Sequence, residues 1–81
     1  RAYYNRAVTY LLEEDYERAI ADLTQAIKIK SDYADAYYSR AVAYYGAKEY
    51  VNAWADIRRL QNLGYQVNPE FIRALQKQYN P

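Results

Sequence analysis

Eighty-one residues suffice for one small domain, close to the size at which a single core is only marginally stabilising. With neither cysteine nor histidine, the chain has no disulfide framework, lacks the commonest general base and metal ligand, and carries no redox clue to its compartment. A net charge of +1 from interspersed acids and bases supplies no field to gather nucleic acid or an anionic membrane, and no apolar run approaches the ~20 residues of a membrane span.

The first predicted element is a helix over residues 2–12, where Tyr3, Ala7 and Tyr10 recur at three- and four-residue spacing. Glu13–Asp15 interrupts it, and Asp15 is suited to cap a second helix over 16–29 that gathers Tyr16, Ala19, Ile20, Leu23, Ala26 and Ile27 on one face. Asp32 is the expected cap of a third helix over 34–45. A turn at Gly46–Lys48 leads to a fourth over 50–62, which Gly64 is placed to stop. Asn68 and Pro69 then open a fifth over 69–79, with Phe71, Ile72 and Leu75 as its apolar stripe. Only two glycines and two prolines leave little turn chemistry for a sheet, so the fold class expected is all-α.

The chain also repeats itself. "AYYNRAVTY" at Ala2–Tyr10 returns as "AYYSRAVAY" at Ala36–Tyr44, and eleven of the 28 positions from Ala2 to Ile29 recur identically thirty-four residues later. A period of this length signals stacked two-helix units. The chain therefore divides into residues 1–33, residues 34–67 and a terminal helix in 68–81. Ala7 with Ala19, and Ala41 with Ala53, fall where paired helices cross, and the rings beside them fill the gaps. Arg6 and Arg40 interrupt the apolar stripes, and an aspartate recurs sixteen residues beyond each, at Asp22 and Asp56. A charge in a packed stripe brings a partner with it, so Arg40 is expected to pair with Asp22 or Asp56. The terminal helix keeps the period, with Phe71 at the place of Tyr37. Having no helix to follow it, this helix reads as a lid over Trp54, Ile57 and Leu60. A start at Arg1 rather than methionine, already helical by Ala2, reads as a segment of a longer protein.

These residues resemble the tetratricopeptide repeat (TPR) family, whose pattern runs aromatic-x2-L-G-x2-Y, then A-x3-F, then P. The first unit reads Tyr3-x2-Arg6-Ala7-x2-Tyr10 and Ala19-x3-Leu23. The second reads Tyr37-x2-Arg40-Ala41-x2-Tyr44 and Ala53-x3-Ile57, with arginine where the family has leucine and with Ser31 and Tyr65 in place of the proline. The resemblance implies two tandem helix-turn-helix repeats with a capping helix, forming a short right-handed α-solenoid. It also implies a non-enzymatic module without a cofactor or metal that binds a peptide or partner helix in a concave groove.

Carried over by spacing, the groove positions are Tyr4, Asn5, Val8 and Leu11, then Tyr38, Ser39, Val42 and Tyr45, then Ile72, Arg73 and Gln76. Tyr4, Tyr38 and Tyr45 are expected to share one accessible strip, with Tyr10, Tyr16 and Tyr44 buried as scaffold. One subset of the family grips the carboxylate of chaperone tails with lysines, asparagines and an arginine. At the matching places stand Tyr4, Val8, Ser39, Pro69 and Arg73, of which only Arg73 conforms, so a chaperone tail is not the expected partner. The alternative is an architectural or self-associating segment of a larger scaffold, using Ala2, Arg6 and Thr9 on the first helix. RNA binding, known for related helical repeats, is disfavoured by the near-zero charge. A soluble chain in a cytoplasmic setting is the expectation.

Overall fold

A computed structural model describes residues 2–81, and among them every regular element is a helix. The helices are α1 (Ala2–Leu12), α2 (Tyr16–Ile29), α3 (Ala34–Gly46), α4 (Tyr50–Asn62) and α5 (Pro69–Gln78). α1 lies against α2 and α3 against α4, while α3 runs along α2 and touches α1. The smallest dimension of the Cα trace, 17 Å, accommodates two helix layers.

Caps and turns explain most of the boundaries. The Asp15 carboxylate accepts from the Arg18 amide at 3.4 Å, and Asn68 accepts from the Glu70 amide at 2.9 Å with Pro69 in the first turn. Asp32, by contrast, caps nothing: Tyr33 holds the N-cap place of α3 and makes no side-chain cap bond. Its ring is fixed by tertiary contact, 5.3 Å from that of Tyr4. The two within-hairpin turns each use a left-handed residue that is not glycine, Glu14 (φ 59°) and Lys48 (φ 63°), one period apart. Gly46 is not a turn residue but the last residue of α3. A Cβ there would lie 2.4 Å from the Tyr16 ring, so glycine lets α2 rest its tyrosine on the α3 backbone.

The core forms two clusters. Around the first hairpin are Ala7, Leu23, Ala26 and Ala36, with Tyr4, Ile27 and Tyr33 packed against them. Around the second are Tyr37, Ala41, Ala53, Ile57, Leu60 and Leu75, with Trp54 and Phe71 at the margin. Leu75 is fully buried, so α5 covers the apolar end of α4 as its sequence suggests, and the Trp54 indole N–H donates to the Tyr79 carbonyl at 2.7 Å.

α5 does not, however, repeat the packing of α3. On α3, Ala36, Arg40 and Ala43 look toward the first hairpin: Ala36 and Ala43 are fully buried, and Arg40 reaches Thr24 on α2. Their counterparts on α5 are Glu70, Ala74 and Lys77, and both charged residues stand exposed. Phe71 and Leu75 face the second hairpin instead. A repeat of the α3 packing would have pressed Glu70 and Lys77 onto an apolar surface.

Candidate functional site

The recurring arginine and aspartate side chains pair within each hairpin. Arg6 makes two bonds to Asp22, both 2.8 Å, and Arg40 makes two to Asp56, at 2.8 and 2.7 Å. Of the two partners proposed for Arg40, the structure selects Asp56. Arg40 also donates through Nη1 to the Thr24 hydroxyl at 3.1 Å. Its guanidinium lies 5.7 Å from the ring centres of both Tyr37 and Tyr44, where the aromatic faces favour a cation.

Electrostatics separate the two pairs. The bond from Arg6 holds the Asp22 carboxyl below the usual carboxylate range. Burial pushes the Asp56 carboxyl up, with Arg40 opposing that rise without cancelling it. Each aspartate accepts both of its bonds from one arginine, and among the described residues every buried side-chain polar atom has a partner. This is the chemistry of a strut rather than of a reacting group. Nor do three or more acidic side chains gather where they could hold a metal, among the described residues.

The groove candidates divide into separate settings. On α1, Asn5 and Val8 are exposed, while Tyr4 and Leu11 are half-buried. On α3, Tyr38, Ser39, Val42 and Tyr45 are all half-buried. Tyr38 and Tyr45 meet the Phe71 ring edge-on at 5.7 and 5.6 Å, and Tyr45 also meets Tyr50 at 5.7 Å. Phe71 therefore holds two of the three candidate tyrosines together, and Tyr4 stays with Tyr33. The expected contrast between accessible and buried tyrosines is absent: Tyr10, Tyr16 and Tyr44 are half-buried too. A phenol hydroxyl inside so small a domain is most cheaply satisfied at its margin.

The last three candidates, on α5, stand in different settings. Ile72 is half-buried against the second core cluster. Gln76 is exposed but takes no part in the concavity beside Tyr45, whose volume is about 560 Å³. Arg73 does line it, and with it Lys77, which spacing had not selected. Neither cation forms an ion pair among the described residues, and Glu70 lines the same concavity.

A family description reading "TPR repeat" matches residues 9–47, from the end of α1 through α2 and α3. No curated protein and no solved structure matches the chain. Among the described residues, no helix is long and apolar enough to cross a membrane.

Proposed function

We propose that this chain, whose residues 9–47 match a TPR-repeat family model, is a tetratricopeptide repeat module of the kind that generally mediates protein–protein interaction, and that it binds a peptide across the face formed by α1 and α3. The surface comprises Tyr4, Asn5, Val8 and Leu11, then Tyr38, Ser39, Val42 and Tyr45, with Arg73 at one end. Residues 1–33 and 34–67 act as its two repeats and 68–81 as the cap. The observation that carries this reading is the state of Tyr38 and Tyr45. Both rings are braced by Phe71 yet remain half-accessible. A ring immobilised before binding loses little entropy on contact, and it offers broad apolar area with a hydroxyl able to meet a peptide backbone.

The test is selection of peptides by display on the folded domain, followed by substitution of the bait. Val8 is 36% exposed, so Val8→Asp is expected to leave the melting temperature within a few degrees while weakening selected peptides at least tenfold. Peptides that bind Val8→Asp and Tyr45→Ala as well as the parent would overturn the reading.

A second reading, self-association or scaffold contact through α1, is favoured by one observation. Arg40 ties α3 to α2 through Thr24, whereas among the described residues Arg6 bonds Asp22 alone and keeps 60% of its side chain exposed. Tyr3 beside it is 38% exposed. Sedimentation across a hundredfold concentration range separates the two readings: mass that rises with concentration and falls back in Arg6→Glu belongs to the second.

A further inference from the structure

A concavity of about 300 Å³ opens where α3 begins, walled by Asp35, Tyr38, Leu60, Tyr65, Val67 and Asn68. Of these only Tyr38 belongs to the peptide-binding face proposed above. Next to it, toward the first hairpin, lies a related hollow of about 430 Å³ beside Ala26, Ile29, Lys30 and Tyr33, with Asp35 lining both. There the chain fills the aromatic surface itself, because the Lys30 ammonium sits 5.4 Å from the centre of the Tyr33 ring.

The hollow beside Tyr65 has no such occupant. The period puts Gly64 where Lys30 stands and Tyr65 where Ser31 stands. Gly64, at φ 91°, has open space around its missing Cβ. The lysine is thus replaced by a gap and the ring beneath it, Tyr33, by Val67, while Tyr65 brings a ring in from the place of Ser31. Tyr65 is 53% exposed and Tyr38 half-buried. Asp35, in the first turn of α3, forms no ion pair among the described residues. Two tyrosine rings, one carboxylate, and Leu60 and Val67 as an apolar floor are what a long cationic side chain needs. The stem is desolvated on the floor, and the charge meets a ring face and an anion.

We propose that this pocket accepts a lysine or arginine side chain of the bound peptide, with its charge on Asp35 and its stem between Tyr38 and Tyr65. The assignment rests on the peptide-binding reading for the source of the side chain. In the neighbouring hollow the chain's own Lys30 already stands against a tyrosine ring, with Asp35 in the same lining. The pocket therefore fixes which residue type a partner presents at the N-terminal end of α3.

The experiment is a titration of the ¹⁵N-labelled domain with acetyl-Gly-Arg-Gly-amide, and with the same peptide carrying norleucine for arginine. Shifts are expected at Asp35, Tyr65 and Gln66, with at least tenfold weaker response to norleucine. Asp35→Asn and Tyr65→Ala, both at exposed positions, should each abolish the preference for arginine while leaving the melting curve intact. Val51→Ala, 62% exposed on α4 and outside both surfaces, should leave it unchanged, and the displayed peptides test the α1–α3 face separately, so failure of the groove and failure of the pocket are told apart. Equal response to both peptides, no response to either, shifts centred elsewhere, or an Asp35→Asn domain that still prefers arginine would each overturn the assignment.

Discussion

Arg6–Asp22 and Arg40–Asp56 are the same two residues at the same spacing with nearly the same bond lengths, yet they are different devices. In the first hairpin the guanidinium is 60% exposed and forms a solvated lid on its carboxylate. In the second it is 17% exposed, flanked by two rings and bonded to Thr24 of the neighbouring hairpin. What differs is only whether another helix lies on the outer side. Burial rather than geometry decides what a salt bridge does, since a desolvated charge depends on its partner and a wet one can turn to water.

The comparison breaks most visibly at Arg40. Arg40→Ala leaves Asp56 buried without a donor and unties α3 from α2, so urea unfolding is expected to lose about 3 kcal/mol, the lower end of the cost of breaking a buried pair. Arg6→Ala should lose distinctly less. Equal losses would mean that the Thr24 link and the flanking rings contribute nothing. The double substitution Arg40→Leu with Asp56→Leu should recover much of the loss, because it removes both charges together.

Next in size is Phe71, which lacks the full burial of its counterpart Tyr37. Phe71→Ala is expected to cost about 2 kcal/mol, below the range for a fully buried ring, and to loosen Tyr38 and Tyr45. Ring-flip rates of those two tyrosines by NMR provide the check. Unchanged rates would show that α3, not α5, braces them.

The smallest effect is a difference in pH slope. Asp22 has a depressed carboxyl in the fold. Its contribution is present above the unfolded value and lost as pH falls through the folded one. Asp56 has a raised carboxyl, so its contribution is full below the unfolded value and declines as pH rises through the folded one. Denaturation of Asp22→Asn between pH 2 and 5 should show a weaker acid-side loss of stability than the parent. Asp56→Asn should show a steeper one. Identical slopes would remove the electrostatic half of the comparison.

Much of this was legible from spacing. Alanine at helix crossings, Asp15 and Asn68 as caps, and the sixteen-residue arginine–aspartate interval follow from helix periodicity, and all five helices fall within a residue of the expected bounds. The sequence named Asp22 as readily as Asp56 for Arg40, because a linear pattern does not show which helix stands opposite. Thr24 was missed because it carries no charge and has Arg58 at its counterpart. The lid role of α5 was legible in its own stripe, with apolar Phe71 and Leu75 beside charged Glu70 and Lys77. Asp35 and Tyr65 gave no signal at all, since their setting depends on a glycine replacing a lysine in a different loop. The exchange of Lys30 for Gly64 was visible, but its meaning needed the fold.

Trp54 is the chain's one tryptophan, and its indole N–H is bonded to the carbonyl of Tyr79, just past the end of α5. Indole emission responds to the polarity and hydrogen bonding of that group. The domain thus carries an optical gauge on the seam between its last hairpin and its terminal helix. Departure of α5 would register as a change in tryptophan emission even while the other four helices kept their circular dichroism, so fraying at this end can be timed without attaching any dye.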